Sequence, residues 1–72
     1  MRNLPLEMNV LKFIGNNDNA DEYKIVDAFK NTEPLNVYDA LMALILNKLI
    51  ERIEIGDNNY YKIIKDGNRK TT

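Results

Sequence analysis

The sequence predicts an α+β domain, three helices followed by a two-stranded β-hairpin, and three observations carry that prediction. Apolar residues recur at helical spacing in three separate stretches between Leu4 and Lys48. The spacing then switches to strict alternation over Arg52-Ile53-Glu54-Ile55. The turn-forming run Gly56-Asp57-Asn58-Asn59 separates that segment from Tyr60-Tyr61-Lys62-Ile63-Ile64, which is rich in strand formers. With 72 residues there is room for one core, burying roughly 60% of the surface that the unfolded chain exposes. The expected domain covers residues 1–67, and residues 68–72 form a polar, basic tail.

Each element has a local cause. Pro5 suits a first helical turn, and Leu4, Met8, Leu11 and Ile14, with Val10 beside them, mark an apolar face, so a helix is expected over about 5–14. Gly15-Asn16-Asn17-Asp18-Asn19 prefers turns and left-handed conformations and should stop it. Tyr23, Val26 and Phe29, with Ile25 and Ala28, restart the period behind capping Asn and Asp residues, giving a second helix over about 21–30. Asn31-Thr32-Glu33-Pro34 breaks that helix, because proline disfavours helical geometry in the residue before it. Asn36 can cap a third helix, expected from Val37 to Lys48. On it Val37, Leu41, Leu44 and the stem of Lys48, with Ala40 at the edge, should cover the core. Tyr38, Met42, Ile45, Leu46 and Leu49 fall on the adjoining arc, so this helix is apolar on nearly two sides. Either it lies at the centre of the domain, or the second arc is an exposed binding patch.

Composition removes most active-site chemistry. The chain has no Cys, His, Ser, Gln or Trp, which excludes zinc fingers, thiol nucleophiles, imidazole bases, disulfides and serine triads. Glu51, Glu54 and Asp57 show no acid/base pairing in a cleft, so an enzyme is not expected, nor a cofactor. Asp18, Asn19, Asp21 and Glu22 form the one oxygen-rich cluster, but the Gly and distal Glu of a calcium loop are missing, and no metal site is expected. The longest strongly apolar run, Ala40 to Leu46, is too short to span a bilayer, and the N-terminus lacks a signal-peptide apolar region; the sequence reads as cytoplasmic. Net charge is −1, unevenly spread: residues 1–59 carry six Lys/Arg against ten Asp/Glu, residues 60–72 four against one. A basic tail on an acidic body can touch phosphate.

The order helix, helix, helix, hairpin is that of a winged helix-turn-helix domain, with the hairpin as the wing. Leu41-Met42-Ala43-Leu44-Ile45-Leu46-Asn47-Lys48-Leu49-Ile50-Glu51-Arg52 resembles the LxxLxxxGLIER stretch that ends the recognition helix of MarR-like and PadR-like regulators. Tyr60-Tyr61-Lys62-Ile63-Ile64-Lys65-Asp66-Gly67 resembles their YYxLTxxG wing strand. The family's Gly is replaced here by Lys48, so the helix must end through another residue such as Asn47, or run on; the family's Thr is replaced by Ile64. The first turns of the third helix present Tyr38, Asp39, Met42 and Ala43 where DNA-binding members offer Ser, Thr, Arg or Gln.

The resemblance implies a DNA-binding transcriptional regulator, a homodimer because one helix and wing bury little surface on DNA. Double-stranded DNA would then meet Asn36, Tyr38, Asp39 and Met42 on the third helix. Arg52, Asn58, Asn59 and Lys62 on the wing and Lys65, Arg69 and Lys70 in the tail would add backbone contacts. The alternative is a protein-interaction or dimerisation module without DNA binding, whose interface is Tyr38, Met42, Ile45 and Leu46. Of Tyr60 and Tyr61, strand alternation assigns one to the core.

Overall fold

A computed structural model describes residues 3–17 and 19–64. Helix α1 is Leu4–Gly15, started by the Asn3 side chain, which accepts the Leu6 amide at 3.1 Å, with proline in the first turn. It buries Leu6, Glu7, Val10 and Ile14, so its inward face is rotated from the expected one, and Leu4 and Met8 are exposed. Gly15 belongs to the helix. Asn16 is the C-cap, the Asn17 side chain donates to the Phe13 carbonyl at 2.7 Å, and among the described residues of the loop Asn19 is left-handed, at φ 53°. Strand β1 is the dipeptide Ala20–Asp21, where a loop residue and the first residue of the second helix are expected; Asp21 instead pairs in the sheet and caps the helix that follows. Helix α2 is Glu22–Ala28, capped by the Asp21 carboxylate on the Tyr23 amide at 2.7 Å; its one buried residue is Ile25. Phe29 follows it and meets the edge of Phe13, ring centres 6.0 Å apart.

Helix α3 is Pro34–Leu46, three residues earlier at its start than expected. Proline breaks a preceding helix but fits the first position of a new one, where no partner for its missing N–H is needed. Asn36 is therefore no cap: its own amide donates to the Glu33 carbonyl at 2.9 Å, inside the first turn. Asn47 is the C-cap, and Lys48 itself takes the left-handed conformation, φ 61°, that glycine takes in the resembling motif. The Lys48 amide donates to the Ile45 carbonyl at 2.9 Å and the Leu49 amide to the Leu44 carbonyl at 3.0 Å, a complete Schellman pair. That turn leaves Lys48 exposed, so its stem does not cover the core.

Strands β2 (Ile50–Ile55) and β3 (Asn58–Ile63) form the hairpin, in register Ile50↔Ile63 through Ile55↔Asn58. Gly56, at φ 61°, occupies the first central position of the two-residue turn, where a positive φ is required for strands of native twist. β1 pairs antiparallel with β3, Ala20 opposite Tyr61, so the sheet has three strands in the order β1-β3-β2. One sheet face carries Ile50, Arg52, Tyr61 and Ile63; Ile50 and Tyr61 are buried, and the tyrosine assigned to the core is thus Tyr61. Ile53, Ile55 and Tyr60 lie on the opposite face, with Ile55 exposed. Val10 and Ile14 of α1, Ile25 of α2, Val37, Ala40, Leu41 and Leu44 of α3, and Ile50 and Tyr61 of the sheet make one cluster. No helix among the described residues is long and apolar enough to cross a membrane.

Candidate functional site

Because α3 starts at Pro34, its outward face gains a residue. The inward side is Val37, Ala40, Leu41 and Leu44, as its periodicity required. A second apolar line runs along the opposite side: Leu35, Tyr38, Met42 and Leu46, with relative exposures of 74%, 38%, 49% and 73%. Steps of three, four and four keep all four on one stripe of the helix. Of the two placements open to this arc, the stripe is exposed. Ile45, in contrast, is partly buried and packs against the core, so it belongs to the domain more than to the stripe. Leu35 is the member that sequence reasoning missed; reading Pro34 as the first helical residue brings it into phase with Tyr38.

The flank of α3 toward α1 is polar. Asn36, Asp39 and Ala43 line a shallow open groove with Asn3, Pro5 and Glu7. Two carboxylates, Glu7 and Asp39, border it, and no Lys or Arg is among these lining residues.

On the other side of α3, Glu22 ties α2 to the wing. Its Oε1 accepts the Tyr61 hydroxyl at 2.8 Å and the Asn59 side-chain amide at 3.1 Å, across 39 and 37 positions of sequence. Burial and then the bond to Glu22 push the Tyr61 hydroxyl far above the usual tyrosine range, despite an opposing effect of Arg52. Tyr38 is raised as well, by desolvation first and by the Glu22 charge next. Nothing local in the sequence marks Glu22 as a wing anchor, because its partners lie 37 and 39 positions away.

The wing cations have acidic neighbours. Arg52 lies 3.6 Å from Glu54, and Lys62 lies 3.4 Å from Glu51 across the strand pair. Asn58 is exposed beside the turn, whereas Asn59 is half-buried and committed to Glu22. Lys65, Arg69 and Lys70 lie outside the described residues. The structure thus brings Tyr38, Met42 and Leu46 onto one continuous surface with Leu35, and leaves Asn36 and Asp39 on its polar flank.

No family model matches the sequence, and no curated protein matches it. Among solved structures the chain is similar to the neutron crystal structure of dissimilatory sulfite reductase D (DsrD), with a TM-score of 0.71 and 21% identity, over 86% of this chain and 94% of that one. At that identity the likeness carries the fold: the chain has an α+β winged-helix-like architecture.

Proposed function

We propose that this chain is a non-catalytic winged-helix module that docks another protein through the outward stripe of α3, the position from which winged-helix regulators read DNA. The observation that carries the reading is the exposure of Leu35, Tyr38, Met42 and Leu46 in one line on a helix that has no Lys or Arg from Pro34 to Leu46. Interfaces are rich in Tyr and Met at their centres and polar at their rims; Asn36, Asp39 and Asn47 supply that rim here. A DNA-reading helix needs the reverse, donors facing the groove and cations near phosphate.

The test is site-specific photo-crosslinking in cells, with a benzophenone amino acid in place of Met42 and, as control, in place of the exposed Asn9 of α1. A discrete protein adduct at position 42 and none at position 9 is the expected result. No protein adduct at position 42 overturns the reading.

The resemblance of residues 41–52 and 60–67 to MarR-like and PadR-like regulators supports a second reading, a homodimeric DNA-binding regulator. Asn36 and Tyr38 would then enter the groove while Arg52, Asn58, Lys62 and the tail residues Lys65, Arg69 and Lys70 meet the backbone. Its signature is duplex binding that falls steeply with salt.

A further inference from the structure

We infer that the occupant of the α3 stripe is a second copy of this chain, packed antiparallel against the first; the inference rests on the docking reading above and names its partner. Two independent features of α3 select this arrangement.

The apolar stripe is close to palindromic. Its ends are both leucine, Leu35 and Leu46, and its middle is Tyr38 and Met42. When two such helices lie antiparallel with Leu35 of one level with Leu46 of the other, Tyr38 of each falls over Met42 of its neighbour. Both leucines, about three-quarters exposed in the single chain, then gain an apolar partner. A two-fold axis requires this kind of self-complementarity, since one patch must serve as both surfaces. The helix of 13 residues is about 20 Å long, enough to align all four side chains of each copy.

The charges at the ends fit the same register. Glu33 stands at the N-cap and exposed Lys48 just past the C-cap, so the helix that carries the stripe has an acid at one end and a base at the other. Antiparallel packing sets Glu33 of each copy level with Lys48 of the other along the helix axis, which puts opposite charges together at both ends. A parallel pair would set Glu33 against Glu33 and Lys48 against Lys48. The two helix dipoles also oppose in the antiparallel arrangement and would add in the parallel one. One feature opposes association: the two Asp39 side chains come to the same flank near the axis, and their like charges repel.

The experiment is sedimentation velocity of the full 72-residue chain over a wide concentration range, with far-UV circular dichroism of every variant. The wild type is expected to pass from monomer to dimer with concentration and to stop there. Met42→Asp should remain monomeric with an unchanged thermal transition, because Met42 is half exposed. Glu33→Lys and Lys48→Glu should each weaken the dimer about threefold to tenfold, as two rim pairs are lost at once, and the double swap should recover most of that loss. Asp39→Asn should tighten it. A wild type that stays monomeric throughout, a dimer indifferent to Met42→Asp, or a double swap no better than its parents overturns the inference. The two readings fail separately: a crosslink from position 42 to a different protein, with a monomeric wild type, removes the second copy as occupant and leaves the docking face standing.

Discussion

The hydroxyl of Tyr61, on the central strand of the sheet, donates to the carboxylate of Glu22 at the start of α2, 2.8 Å away and 39 positions earlier in the chain. Tyr61 is buried and Glu22 is part-buried, so this bond is made where water competes poorly. It joins the helix-turn-helix to the wing at a point where β1 contributes only two residues to the sheet. Tyr61→Phe keeps the ring in the core and removes the donor alone. The expected loss is about 1.5–3 kcal/mol, the range for a hydrogen bond to a charged group, read from urea unfolding. A loss below a few tenths of a kcal/mol would mean that the bond does not hold the wing.

The same bond sets an alkaline limit. Burial foremost, and then donation to Glu22, raise the Tyr61 hydroxyl above its ordinary value of 10.0, so the folded state holds this proton more tightly than the unfolded one. Stability from that difference is complete below the ordinary value and is lost as the pH climbs past it, because the unfolded chain releases the proton first. Unfolding should therefore become easier above about pH 10, and the Tyr61→Phe variant should lose less over the same range. Parallel urea melts across the alkaline range decide it; identical slopes for the two proteins would contradict the assignment.

Lys48 carries a conformational cost that glycine would remove. Its φ of 61° is left-handed, where a Cβ costs about 1–2 kcal/mol, while glycine gives back part of that through its freer unfolded chain. Lys48→Gly should stabilise by about 0.5–1 kcal/mol, and Lys48→Val should destabilise, because a β-branched side chain tolerates this region least. Both are best compared in the Met42→Asp background, so that self-association does not enter the melting curve. A glycine variant less stable than its parent would show that the Lys48 side chain holds the turn.

Ile25 is the residue that anchors helix α2 in the core. The helix has seven residues, too few to persist alone, and Ile25 is its one buried side chain. Ile25→Ala should cost about 2–5 kcal/mol, a large share of what so small a domain has available. Hydrogen exchange under native conditions should show α2 amides opening first in this variant. Loss of protection in α1 before α2 would refute this dependence.

These outcomes also show which contacts a sequence can reveal. The core side of α3 was legible because Val37, Ala40, Leu41 and Leu44 repeat at helical spacing, and the hairpin because Gly56 sits between alternating segments. Tyr38, Met42 and Leu46 followed from the same periodicity. What escaped was either too short to have a period, as with Ala20–Asp21, or dependent on contacts far apart in sequence, as with Glu22 and Tyr61. The inward face of α1 is not legible from spacing alone, because Leu4 and Met8 compete with Leu6 and Val10 for it, and only packing against α3 decides between them. Pro34 both ends one helical stretch and begins the next, and only the second role brings Leu35 into phase with Tyr38.

Duplex DNA discriminates the docking reading from its rival. Each phosphate contact adds about 0.9 to the slope of log affinity against log salt, and the wing cations Arg52 and Lys62 each face a carboxylate within 4 Å. A phosphate approaching either would meet Glu54 or Glu51 as well, so Coulomb attraction and repulsion nearly cancel. At low salt, random duplex of about 20 base pairs should bind no tighter than about 100 µM, the weak end of non-specific affinities. Glu51→Gln with Glu54→Gln removes the opposing charges while keeping both cations, and should raise the affinity by about tenfold if the pairing is what silences them. Low-micromolar binding by the wild type with a slope of three or more would instead demand cations beyond this wing. Lys65→Ala, Arg69→Ala and Lys70→Ala combined would then flatten the slope, and the α3 stripe would lose its claim as the functional surface.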